Sequence, residues 1–164
     1  MALYEQARRV LSGRRFRKIV APAVLFLGWN ATSARAADNL KLNEHIDYQS
    51  DSADGPLITG DNMSAGTATN KVNYVIIYAE GCYNSKRQAR RTVKLYQKYR
   101  DRVNFVVIDL DQHASSAQAP LVSKYYKGYI PTVVILDSKG AALYNRAGEE
   151  DEDALAGLLD KALQ

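Results

Sequence analysis

The sequence predicts an α/β sandwich, a central mixed sheet flanked by helices, and three observations carry that prediction. First, Val72–Ala79 and Val103–Asp109 are rich in β-branched and aromatic residues and read as buried strands. Second, the stretch between them, 84–100, contains neither Gly nor Pro and offers an apolar stripe at helical spacing in Val93 and Tyr96, with Ala89 and Leu95 nearby. Third, 132–137 and 141–145 flank Ser138-Lys139-Gly140, a hairpin signal, and 151–163 reads as a final helix with Leu155, Leu158, Leu159 and Leu163 on one face. The strand–helix–strand unit makes parallel neighbours and the hairpin adds antiparallel ones.

The elements follow in order from a leader. Arg14-Arg15-Phe16-Arg17-Lys18 precedes eleven uncharged residues, Ile19 to Trp29, and then Ala34-Arg35-Ala36. A charged start, a short apolar run and an A-x-A pattern describe a secretory signal peptide over 1–36, cut after Ala36. The apolar run is well short of the roughly 20 residues that span a bilayer. Export, to a bacterial periplasm, is the expectation, with no stable membrane insertion after cleavage; an uncleaved anchor is the alternative. The twin-arginine signal is weak, because Phe16 follows the pair directly. Residues 37–56 are polar, lack periodicity and end at Asp54-Gly55-Pro56, so they read as a linker or loosely docked arm. The folded domain is expected over 57–164. Leu57-Ile58-Thr59 reads as a short strand and Met63–Thr69 as a poor helix. A second helix covers 116–127, with Pro120 near its start. The acids Glu149–Asp153 suit the N-terminus of the last helix as a solvated cap.

Composition narrows the function classes. The 164 residues are 46% hydrophobic and 24% charged, which excludes a disordered chain and a polytopic membrane protein. Formal charge is +4, but residues 1–36 hold seven cations and one anion. The remaining chain is mildly acidic, so no nucleic-acid partner is expected. One cysteine, Cys82, excludes an internal disulfide framework and a thiolate zinc site. His45 and His113 have no ligand-like spacing. Neither metal nor cofactor is expected.

Tyr78-Ala-Glu-Gly-Cys82-Tyr-Asn-Ser85-Lys86 joins the first strong strand to the first strong helix, and Tyr129-Ile130-Pro131-Thr132 precedes a later strand. With Ile108-Asp109-Leu110-Asp111, Gly140 and Gly148, these residues resemble the thioredoxin family over roughly 57–164. The resemblance implies a thioredoxin-like fold, a cis Ile130–Pro131 bond lying against Cys82, and a backbone there that binds an extended substrate strand. Three departures stand out. The second cysteine of C-x-x-C is Ser85; the aromatic before the first cysteine is Gly81; the family's buried acid falls at Ile76. The losses agree with one another, since that acid serves a resolving thiol which is missing here.

Cys82 opens a helix, where backbone N–H groups and the dipole favour a thiolate. Lys86, Arg87, Arg90, Arg91, Lys94 and Lys98 follow with no acid before Asp101. Lys86 and Arg87 are therefore the candidate thiolate-stabilising cations, and the Ser85 hydroxyl a candidate donor to the sulfur. Tyr83, Tyr125, Tyr126 and Tyr129 are candidates for lining a groove, with Tyr83, Ile130 and Pro131 contacting substrate. The basic helix otherwise reads as a solvated face. The expected activity is single-thiol exchange through Cys82, with exported protein thiols or disulfides, or a small thiol such as glutathione, as partners. The alternatives are a non-catalytic module that binds an extended peptide or partner protein, and a Cys82-linked dimer.

Overall fold

The computed structural model describes residues 36–164. The expected export signal therefore lies, apart from Ala36, outside the described residues. Nine elements follow: β1 (Asp38–Leu42), β2 (Ile58–Asp61), β3 (Val72–Tyr78), α1 (Tyr83–Tyr99), β4 (Val103–Asp109), α2 (Ala119–Tyr125), β5 (Thr132–Leu136), β6 (Ala142–Ala147) and α3 (Glu152–Ala162).

The main sheet runs β4-β3-β5-β6. β3 is parallel to β4 and antiparallel to β5, which pairs antiparallel with β6. β3 is buried at all seven positions, as a strand covered on both faces must be. Its side chains alternate between two cores. Tyr74, Ile76 and Tyr78 join the larger one with Ala89, Val93, Tyr96 and Tyr99 of α1 and Leu155 and Leu159 of α3. Val75 and Ile77 join the smaller one with Leu121 and Tyr125 of α2. β2 to β6 and the three helices stand where the sequence placed them, to within a few residues.

One register pair is polar. Asn73 lies opposite Asn104; both are 2% exposed, and Asn104 Nδ2 donates to Asn73 Oδ1 at 2.8 Å. The pair also holds the loop before β3, through Ala68 N–H to Asn73 Oδ1 (2.7 Å) and Asn104 Nδ2 to the Gly66 carbonyl (3.1 Å).

Two expectations fail in the N-terminal third. Met63–Thr69 forms no helix; instead Gln118 Nε2 takes the carbonyls of Met63 (2.7 Å) and Ala65 (3.2 Å), which fixes the segment as a loop. Residues 37–56 are not a loose arm. β1 pairs with β2 in a separate antiparallel ladder, and Ala37, Leu40, Ile46 and Tyr48 enter the larger core. Four apolar side chains without regular spacing suffice to dock a segment that periodicity cannot detect. α1, covered from a second side, buries nine of its 17 residues, more than a single amphipathic stripe would.

Candidate functional site

The site lies at the C-terminal end of β3, where open α/β sheets place their ligands. β3 ends at Tyr78, in register with Asp109 of β4. Ile77 is opposite Thr132 of β5, so Pro131 follows at the same end of the sheet. The 79–82 turn leaves from this edge and delivers Cys82 as the N-cap residue of α1. The Ile130–Pro131 peptide bond is cis. Thr132 Oγ1 donates to the Tyr129 carbonyl (2.7 Å) and Gly148 N–H to the Pro131 carbonyl (2.7 Å), which tie this loop to the sheet. Pro131 is buried and Ile130 partly so.

Cys82 is partly exposed and has extended backbone, φ −107° and ψ 117°, with no side-chain cap bond to the helix. The strand–turn–helix pattern alone would aim the helix donors at the sulfur. In the structure the first of them, the Tyr83 N–H, donates instead to Asp51 Oδ1 at 2.9 Å. With no acid in the first turn of α1, its positive end takes a carboxylate from 32 residues upstream.

The two candidate cations have other partners. Lys86 is fully buried, and its Nζ donates to the Asp47 carbonyl (2.6 Å), the Ser52 carbonyl (2.8 Å) and Ser52 Oγ (3.4 Å). A buried ammonium must find oxygens, and the loop over residues 47–54 supplies three. Arg87 pairs with Glu149 (2.6 Å), and its guanidinium lies 5.6 Å from the centre of the Tyr83 ring. Neither bears out a thiolate-stabilising role. Ser85 is fully buried, and its Oγ has no hydrogen-bond partner, so the expected bond from Ser85 to the sulfur is absent.

Gly81, the departure from the family's aromatic, now has a physical reason. A Cβ there would stand 3.3 Å from the Asp51 carbonyl oxygen and 3.4 Å from Ala53 Cβ. An aromatic ring would need the space that the 47–54 loop fills. Among the tyrosines, Tyr83 (40% exposed) and Tyr129 (72%) are open to a partner, whereas Tyr125 is buried and Tyr126 half-buried. Ile76 is fully enclosed in the larger core, where its alkyl chain leaves no acid behind the site.

A different acid is perturbed. Asp109 borders a cavity of about 400 Å³ lined also by Ile58, Met63, Tyr78 and Val107. Burial, opposed by the Asp111 N–H and reinforced by the neighbouring Glu80 charge, pushes its carboxyl up to about 6. Glu80 is buried, with its N–H on Asp111 Oδ2 (2.7 Å) and its carboxylate accepting from Gln112 (3.0 Å).

The basic face of α1 is not simply solvated. Arg91 pairs with Glu149 (3.0 Å) and Asp151 (3.6 Å), and Lys94 with Glu152 (3.3 Å). The acids expected as a solvated cap of α3 thus serve to dock α3 against α1.

With the geometry in place, the chain can be set beside known proteins. No family model matches it, nor does any curated protein. Among solved structures, a thiol:disulfide interchange protein, DsbE, from Chlorobium tepidum superposes with a TM-score of 0.51 at 18% identity, over 66% of this chain and 88% of that one. Thioredoxin-2 of the malaria parasite gives 0.49 at 23% identity, over 58% and 86%. Fasciola hepatica thioredoxin gives 0.47 at 20%, over 57% and 83%. The likeness to the interchange protein is one of fold. Residues 36–164 adopt an α/β, thioredoxin-like fold with a C-x-x-S sequence at its cysteine position.

Proposed function

We propose that this protein, after export, carries out single-thiol thiol–disulfide exchange through Cys82. The observation that carries the reading is the placement of Cys82, at the N-cap of the helix following the central strand and at the sheet end that also holds Pro131. The Cys82 thiolate attacks one sulfur of a disulfide; a Cys82–S–S–R bond forms as the second sulfur leaves as thiolate. Ser85 has no sulfur with which to expel R. A thiol from another molecule attacks the mixed disulfide, takes R as a new disulfide and returns Cys82 as thiolate. Exposed Tyr83 and Tyr129 flank the site as contacts for the partner, an exported protein disulfide or a small one such as oxidised glutathione.

The test is to incubate the folded protein with oxidised glutathione and weigh it intact. A single glutathione adduct, absent in Cys82→Ser and released by added thiol, is expected. An unmodified native protein would remove the exchange reading. It would favour the second one, a non-catalytic peptide-binding module. A covalent dimer at twice the mass would favour pairing through Cys82.

A further inference from the structure

The 47–54 segment makes three independent contacts with the Cys82 turn. The Asp51 carboxylate takes the first N–H of α1 (2.9 Å). The backbone of residues 51–53 fills the space above Gly81. The buried Lys86 ammonium, four residues after Cys82, pins the segment at the Asp47 and Ser52 carbonyls. Asp47, Asp51 and Asp54 are exposed and the segment has no Lys or Arg. Its anchor is the buried Tyr48, under the Arg90 guanidinium at 5.2 Å.

We infer that this segment is a strap that restrains Cys82, with Asp51 as the positioning residue that sets the sulfur's reactivity. Two anions compete for one positive helix end: the thiolate, one residue before the helix, and the Asp51 carboxylate already bonded there. While the strap is seated, its carboxylate holds the positive helix end that the sulfur would otherwise face alone. When the strap lifts, as a partner strand entering between Gly81 and Tyr83 would require, the positive helix end is left to the sulfur. The site is then most nucleophilic when a partner has displaced residues 51–53. The inference rests on the reading of Cys82 as an exchange nucleophile, and it assigns the regulation of that site.

The experiment follows iodoacetamide alkylation of Cys82 against pH, together with the yield of glutathione adduct, in four proteins: parent, Asp51→Asn, Asp51→Ala and Gly81→Trp. Asp51 is exposed, so its variants are expected to fold; unchanged circular dichroism checks this. In Asp51→Ala the alkylation midpoint should move to lower pH, with a rate at pH 6.5 about two- to fivefold above the parent, the size of a charge effect at a helix terminus. Asp51→Asn keeps an oxygen for the Tyr83 N–H and removes only the charge, so it should move the midpoint the same way by less. Gly81→Trp, which ejects the strap sterically, should follow Asp51→Ala. Superimposable profiles in the parent and both Asp51 variants would overturn the strap. Should the profiles shift while no variant forms an adduct, the exchange reading falls and the strap stands. Adducts at equal rates with unshifted profiles would do the reverse, removing the strap and leaving exchange in place.

Discussion

At the scale of single residues, a buried group three residues after Cys82 lacks a partner. Ser85 Oγ is buried and makes no hydrogen bond, and an orphan buried hydroxyl costs about 1–3 kcal/mol. Ser85→Ala, which also favours the helix, should therefore stabilise the fold by about 1 kcal/mol in urea unfolding and leave the alkylation rate of Cys82 unchanged. A loss of reactivity would mean that the hydroxyl turns to the sulfur once it ionises. Ser85→Cys puts a second sulfur three residues into the turn, where a disulfide needs Cβ atoms about 3.5–4.5 Å apart. Mild oxidant should close an 82–85 bond, seen as the loss of both free thiols. The position of Cys82 was legible from the strand–turn–helix pattern around it. The occupant of its helix terminus was not, because Asp51 lies in a stretch with no periodic signal.

At the scale of elements, one buried ammonium joins the strap to α1. Lys86→Met keeps the length of the buried side chain but leaves the Asp47 and Ser52 carbonyls unmatched. It should cost about 2–3 kcal/mol, the size of a charged hydrogen-bond set. Limited proteolysis should then cut within 47–54 faster than in the parent. Cutting at parental rates would show that Tyr48 alone holds the segment. A run of cations on α1 reads from sequence as one solvated face, since helical spacing alone cannot say which members meet an acid. The structure divides them. Lys86 goes inward to the strap; Arg87, Arg91 and Lys94 go across to Glu149–Glu152. The acids and the cations were each visible in the sequence. Their pairing depends on α3 folding back about 60 residues later, a long-range event that local patterns do not encode.

At the scale of the whole molecule, stability should carry the mark of Asp109. Its carboxyl is pushed up to about 6 from an ordinary 3.8, chiefly by burial. Between these values the folded protein binds more protons than the unfolded chain, so stability falls as pH rises through that window and then levels off. Asp109→Asn keeps an acceptor for the Asp111 N–H, which now binds Asp109 Oδ1 at 3.0 Å, and removes the charge. The variant should match the parent below about pH 4 and exceed it at about pH 8 by about 1 kcal/mol, a figure discounted for the group's partial exposure. Urea unfolding of both proteins across that range measures the difference. No helix among the described residues is long and apolar enough to cross a membrane. The parallel pairing of β3 with β4 and the antiparallel hairpin of β5 and β6 were foreseeable, because buried strands and the βαβ connection leave few topologies. The docked N-terminal segment was not, because its apolar residues are too few and too irregular to distinguish a packed loop from a linker.

The amide pair at Asn73 and Asn104 bears on how the chain finds its own partner strand. Val72-Asn-Tyr-Val-Ile-Ile-Tyr78 and Val103-Asn-Phe-Val-Val-Ile-Asp109 are close copies of one another, and the clasp aligns them residue for residue. A slip by one position would set each amide against an apolar neighbour, so the pair fixes the phase of two otherwise slippery ribbons. The same likeness makes the strands interchangeable between molecules. In a concentrated refolding mixture, β3 of one chain meets in another chain both β4 and a second β3, each offering an asparagine at the same place. The feature that gives fidelity within one chain thus gives adhesion between many. Recovery of soluble protein on refolding should therefore fall as protein concentration rises.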